Sequence, residues 1–241
     1  MRRCPVCTVI VRVPAAAGEP VRLLAVRDED PARPWQPLGE WWPDRPGVIG
    51  VRDVRAGGAW LAVDAAAGRL AVLLNRESPP VPPGVAQVSR GGIVLDAVAG
   101  RPPHPTPAVL GFNLVTVDQS GVHVVTWDGA VRTELTVPPG THMIAHHDLD
   151  DPRSPRIVAW HDAFAAADPD EWMPLLARTA QLDPADDRAI IRDNNAHGYP
   201  TQSLLLCTAS VSADEVDVRY AELDRPGVWN PVTLVGPVRA A

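Results

Sequence analysis

The 241-residue chain contains no lysine; all 22 of its basic residues are arginine. That absence excludes lysine-dependent chemistry, such as a lysine Schiff base or the lysine of a phosphate-binding P-loop. Cysteine is scarce. Cys4, Cys7 and Cys207 are too few for a disulfide framework, which fits a reducing cytoplasm. No apolar run approaches the roughly 20 residues of a membrane-spanning helix. Arg12 interrupts the apolar run behind Arg2 and Arg3, so the N-terminus does not read as a secretory signal. A net charge of −7 argues against a general binder of nucleic acid or membrane surfaces.

What is present is ordinary for a globular protein: 46% hydrophobic and 21% charged residues. The length suffices to bury a full core, and one domain over 1–241 is the simplest reading. Short β-branched runs at 7–13 and 21–26 flank a turn rich in Ala, Gly and Pro and predict a hairpin. Residues 27–47 mix prolines with Trp35, Trp41 and Trp42 and predict an ordered loop whose rings pack over something rather than face water. Apolar runs at 48–54, 59–64 and 69–75, with Gly57-Gly58 and Gly68 at the turns, predict an antiparallel meander. A proline-rich loop over 76–88, a helix over 93–98 and a second such loop over 101–107 follow. Three more strands are expected at 111–118, 122–127 and 130–137, with Asp118 to Gly121 and Asp128-Gly129 as turns.

Prolines and glycine at 138–140 and Asp151-Pro152 frame a stretch expected to be a loop. His142 and His146 have the spacing of a helical zinc pair, but a loop would not hold them on one face, and no metal site is expected. Asp168, Pro169 and Glu171 form a capping pattern for a helix reaching Gln181. Asp183-Pro184 repeats the signal for a short helix to Arg192, and strands resume at 203–208 and 215–223. Many strands, few helices and no βαβ alternation give an α+β class.

Several segments together resemble a known family. Cys7-Thr8 opens the first strand, and Val26-Arg27-Asp28-Glu29 closes the second. Gly57-Gly58-Ala59-Trp60, Leu73-Leu74-Asn75-Arg76, Ser89-Arg90-Gly91-Gly92 and Gly111-Phe112-Asn113-Leu114 follow in order. Looser matches run from Leu135 to Arg156 and from Tyr199 to Ser203. In order and spacing these resemble the NRDE family, also called the transport and Golgi organisation protein 2 family, across residues 6 to 225. The chain departs from the family pattern at Val26 (Asn), Leu74 (Thr), Gln202 (Arg) and the Met143–His147 stretch (a missing Asn), and Cys7 is not the second residue. The resemblance extends to N-terminal-nucleophile hydrolases. It implies an αββα sandwich of two stacked antiparallel sheets flanked by helices.

In that chemistry the Cys7 sulfur attacks a carbonyl, and the α-amine of the same residue carries the proton. Abundant Ala, Val, Gly and 27 Pro alongside Arg indicate a GC-rich coding sequence, where GTG serves as a start codon and also encodes valine. Val6 could then be the initiator, residues 1–5 an extension, and Cys7 the mature N-terminus. Alternatively the extension is real, and the protein is processed or catalytically silent.

The resemblance nominates further groups. Arg27 could lower the thiol pKa. Asp28 could hold Arg27 or hydrogen-bond the α-ammonium. The Asn75 amide could donate to an oxyanion, with Asn113 a second amide candidate. Arg90 could bind a substrate carboxylate or phosphate, or else loop carbonyls. Two functions are therefore carried forward. One is a cysteine amidohydrolase acting on a small-molecule amide without a cofactor, Trp35, Trp41 and Trp42 forming an apolar pocket wall. The other is a non-catalytic carrier of haem or acyl lipid on the same fold, with Cys7 or a histidine as axial ligand under the haem option.

Overall fold

The computed structural model describes residues 7–237. Cys4 and the expected start at Val6 lie outside the described residues. Strands β1 (Thr8–Val13) and β2 (Val21–Glu29) form the expected hairpin. The free edge of β1 takes β10 (Gly140–Ile144), and β2 takes β11 (Gln202–Val211), which pairs with β12 (Val216–Glu222). This five-stranded antiparallel sheet has the order β10-β1-β2-β11-β12. The second sheet has seven strands in chain order. They are β3 (Trp35–Gly39), β4 (Val48–Asp53), β5 (Ala59–Asp64), β6 (Arg69–Asn75), β7 (Phe112–Asp118), β8 (Gly121–Trp127) and β9 (Arg132–Thr136).

Strand alternation assigns each side chain to a layer. Val9, Val11, Leu23, Ala25, Leu205 and Cys207 face the second sheet and meet Leu61, Val63, Leu70, Val72, Val115 and Val117. Their neighbours Ile10, Leu24, Val26 and Leu206 turn outward onto α2 (Pro155–Ala166) and α3 (Trp172–Thr179), packing on Ile157, Phe164, Trp172 and Leu176. On the far face of the second sheet, Ala62, Ala71, Leu73 and Leu114 lie under Val94, Leu95 and Val98 of α1 (Gly91–Val98). The layers run helix, sheet, sheet, helix, so the α+β class and the αββα sandwich both hold. Burial on both faces explains why the central strands read as unbroken apolar runs.

The start of α1 sits against the β4–β5 turn with no room between them. A Cβ added to Gly58 would lie 1.8 Å from the Gly91 carbonyl oxygen.

Five local expectations are corrected. Residues 27–47 are not all loop: β2 continues to Glu29 and β3 occupies Trp35–Gly39. The stretch around His142 is strand β10, because Met143 and Ile144 fill the two faces beside β1. Helix α2 was not expected, although Pro155 stands in its first turn. Asp168 does cap, its carboxylate accepting from the Asp170 amide at 2.9 Å, but the first turn is a 3-10 helix (Pro169–Glu171) and α3 ends at Thr179. The helix expected from Asp183 to Arg192 does not form; the next helical turn is a 3-10 helix at Asn194–His197. The Asp183 and Asp186 carboxylates accept from the amides of Ala185 (2.9 Å) and Arg188 (2.8 Å), holding turns in place of the expected helix.

Candidate functional site

Cys7 stands just before β1, and its side chain joins the inter-sheet core. It is only 4% exposed, yet it borders a cleft of about 410 Å³. Both sheets line that cleft, through Arg27 and Glu29 of β2 and Trp60, Leu73 and Asn75 of β5 and β6. The Cys7 Sγ donates to the Asp28 carbonyl oxygen at 3.7 Å. Burial, reinforced by the Asp28 charge, pushes the thiol pKa up to about 12, while Arg27 pulls it down. The resting group is therefore a neutral thiol.

Arg27 and Asp28 are adjacent in a strand and so project to opposite faces. Arg27 turns into the space between the sheets. Its guanidinium lies 3.6 Å from Glu29 and 6.0 Å from the Trp35 ring centroid. Its Nη1 is buried and has no acceptor among the described residues. Asp28 turns toward the helical layer, where Oδ1 accepts from Ser203 Oγ at 2.6 Å. Its Oδ2 is buried without a partner among the described residues. The option in which Asp28 holds Arg27 is thereby corrected; strand alternation separates them.

The surroundings of Asp28 are a polar layer that the sequence reading did not anticipate. Ser203 Oγ also accepts from the Arg192 amide at 2.8 Å, and Arg192 Nε donates to Asn194 at 3.0 Å. Arg156, from α2, donates to Thr8 Oγ1 at 2.6 Å, and burial pushes its pKa down to about 10. Burial pushes the Asp28 carboxyl up to about 6, against the pull of Arg156, Ser203 and Arg192. Arg156 and Ser203 ended the two loosest motif matches, which was the one signal available.

Two β-bulges flank the cleft. The β2–β11 register slips between Ser203 and Leu205, opposite Asp28 and Arg27. The β4–β5 register slips so that Arg52 pairs with Ala59 and Val51 with Leu61, leaving Trp60 without a partner. A bulge re-aims a side chain that alternation would otherwise send away. Trp60 thereby reaches the cleft, and its motif, Gly57-Gly58-Ala59-Trp60, was read only as a strand.

The other candidates divide. Asn75 ends β6 and borders the cleft. Arg90 borders it too, but its Nη1 donates to the Gly111 carbonyl at 2.7 Å, so it anchors a loop. Asn113 is fully buried and does not reach the cleft. Its amide donates to the carbonyls of Ala145 (3.0 Å) and His147 (2.7 Å), and its oxygen accepts from Arg76 and Thr126. It is a structural tie between β7 and the segment after β10. Trp35 packs beside Arg27 at the inter-sheet core. Trp41 and Trp42 do not wall the cleft. Their indoles donate to the carbonyls of Pro37 (2.7 Å) and Gly57 (2.9 Å), and they pack with α1 on the outer face. His142 is bound on both sides, to Asp150 (2.6 Å) and the Pro138 carbonyl (3.0 Å).

Residues 6–171 match the family described as Transport and Golgi organisation 2. The chain belongs to that family. The match takes in Cys7, Arg27, Asp28, Trp60, Asn75 and Arg156; Arg192 and Ser203 lie beyond it. A comparison with curated proteins finds no match. Among the described residues, no helix of this Transport and Golgi organisation 2 member is long and apolar enough to cross a membrane.

The raised Asp28 pKa has a measurable consequence for stability. Between the ordinary value of 3.8 and the folded value of about 6, the native protein holds a proton that the unfolded chain has lost. The contribution is complete below about pH 4 and is lost as pH rises through about 6. A shift of about two units corresponds to about 3 kcal/mol. Asp28→Asn has no carboxyl to ionise. Measured by urea denaturation from pH 4 to pH 7, its stability relative to the parent should rise by up to that amount. Parallel curves would disprove the assignment.

Proposed function

We propose that the protein is a cysteine amidohydrolase of the N-terminal-nucleophile type, acting on a small amide, with Cys7 as nucleophile. The observation that supports this most directly is the Cys7 thiol at the edge of a polar cleft between the sheets, within electrostatic reach of Arg27. A thiol held neutral to about pH 12 needs a base to react near neutrality. A free α-amine on Cys7, with a pKa of about 8, is that base. It takes the thiol proton as sulfur attacks the carbonyl, then gives it to the departing amine as a thioester forms. Water, deprotonated by the same amine, cleaves the thioester and releases the acid.

The neighbours have matching tasks. Arg27 stabilises the sulfur anion as it forms, and the Asn75 amide donates to the tetrahedral oxyanion. The pairing of Thr8 with Val26 puts Asp28 level with the position before Cys7, where its unmet Oδ2 can accept from the α-ammonium. Arginines and carboxylates around the cleft favour a polar amide over haem or acyl lipid, and Trp41 and Trp42 lie elsewhere. Among the described residues the thiols of Cys7 and Cys207 are free, which suits a reducing cytoplasm.

The reading requires Cys7 to be the first residue of the active form. A chain trimmed to begin at Cys7 should release amine from a panel of small amides, whereas the chain that retains residues 1–6 should not. Equal turnover by both forms, or none by the trimmed form, would refute the reading. The mass of the natively expressed protein reports whether Arg2 and Arg3 are retained.

A further inference from the structure

Arg27 and Trp60 share an unusual condition. Each carries a buried N–H donor, Arg27 Nη1 and Trp60 Nε1, with no acceptor among the described residues. Arg27 is 2% exposed and Trp60 is 7% exposed. Burying a donor without a partner is costly, and the cost is larger for a charged group. Both residues border the same cleft. They come from opposite sheets, Arg27 from β2 and Trp60 from β5, and each lies beside a register slip. The slip in β5 is what brings the indole to the cleft. Two residues that each bury an unmet donor therefore line one cavity.

The local charge narrows the acceptor. Arg33 engages Asp53 at 2.6 Å and Glu29 at 3.8 Å, which offsets those carboxylates. Arg55 stands exposed at the rim with no partner among the described residues. Glu29 nevertheless remains 3.6 Å from Arg27, so a doubly charged phosphate would meet repulsion there. A single, delocalised negative charge fits better, and a carboxylate can accept from guanidinium and indole with separate oxygens.

We propose that Arg27 and Trp60 form a receptor for a carboxylate, so that the substrate is an amide bearing an acid group near the bond that is cut. The carboxylate site stands on the two unmet donors. Its role in substrate choice rests on the amidohydrolase reading.

The test separates the two. Full-length Cys7→Ala protein, unable to turn over, is labelled with nitrogen-15, and the Trp60 indole N–H signal is assigned by its loss in Trp60→Phe. N-acetylglycine should shift that signal in a saturable way. N-acetylglycinamide, the same molecule with a neutral amide for its acid, should need about tenfold more ligand or worse. Methyl phosphate should bind more weakly than the acid. Arg27→Gln should weaken the acid by about tenfold to hundredfold, and Trp60→Phe by about tenfold, followed on other cleft amide signals. Retained cleft signals and thermal melts show that each variant is folded. The proposal is overturned if acid and amide bind alike, if phosphate binds more tightly, if the acid gives no saturable shift, or if both variants keep parent affinity. Carboxylate binding together with no amide turnover by the chain trimmed to begin at Cys7 would retain the site and remove only the amidohydrolase reading.

Discussion

Replacing Cys7 by alanine should abolish amide hydrolysis in the trimmed protein and leave the fold intact. The substitution removes the only atom that forms the acyl bond, and the α-amine that remains has no thiol proton to take. Deleting a catalytic nucleophile costs on the order of 10⁴- to 10⁶-fold in turnover. The structural cost is small by comparison. The thiol makes one weak contact, 3.7 Å to the Asp28 carbonyl, and the rest of its burial is sulfur against carbon. A loss of about 1 kcal/mol is expected. Cys207→Ala is the control. Cys207 is fully buried in the same inter-sheet core and does not border the cleft, so it should lose stability but keep turnover. Amine release and urea midpoints on both variants decide the matter. Activity of Cys7→Ala within tenfold of the parent would end the nucleophile assignment.

Gly58→Ala should be the most destabilising single methyl addition at the cleft. The new Cβ would lie 1.8 Å from the Gly91 carbonyl oxygen and 2.4 Å from its Cα. Both are backbone atoms, so no side-chain rotation relieves the overlap; α1 or the β4–β5 turn must move. Overpacking typically costs 1–3 kcal/mol, and a clash with backbone belongs at or above the upper end, about 3 kcal/mol. The movement would also displace Gly91 and Arg90, which border the cleft, so carboxylate affinity should fall with stability. Gly92→Ala, one residue further into α1, meets nothing within 4 Å. It should be neutral or stabilise by up to about 1 kcal/mol through helix propensity. Urea midpoints for the pair test this. Equal midpoints for Gly58→Ala and the parent would show that the turn yields freely.

The candidate site was half legible before any fold was known. Cys7, Arg27, Asp28 and Asn75 stand in ordered motifs, and the structure brings all four to the cleft region. Trp60 was visible as a residue but not as a lining group, because strand alternation sends it the wrong way and only the bulge corrects this. Arg156, Arg192 and Ser203 carried no local mark of their link to Asp28. Asn113 looked like a second amide donor but is spent on two carbonyls of the segment after β10. Trp41 and Trp42 were rightly expected to be packed, yet they pack beneath α1 and not around a ligand.

The sequence by itself determined the short-range features: the first hairpin, the meander, the α+β class and the ordered motifs that mark the family. These follow from side-chain period and turn chemistry, which act over a few residues. Tertiary structure alone decided that the Arg27 side chain enters the cleft while the Asp28 carboxylate turns toward the helical layer, that β10 joins β1, and that α2 supplies an arginine beneath the site. Those outcomes depend on partners such as Thr8 with Arg156 and Asp28 with Ser203, which are 148 and 175 positions apart. No local pattern encodes such a pairing; it arises when two faces are buried together and their polar groups must find each other.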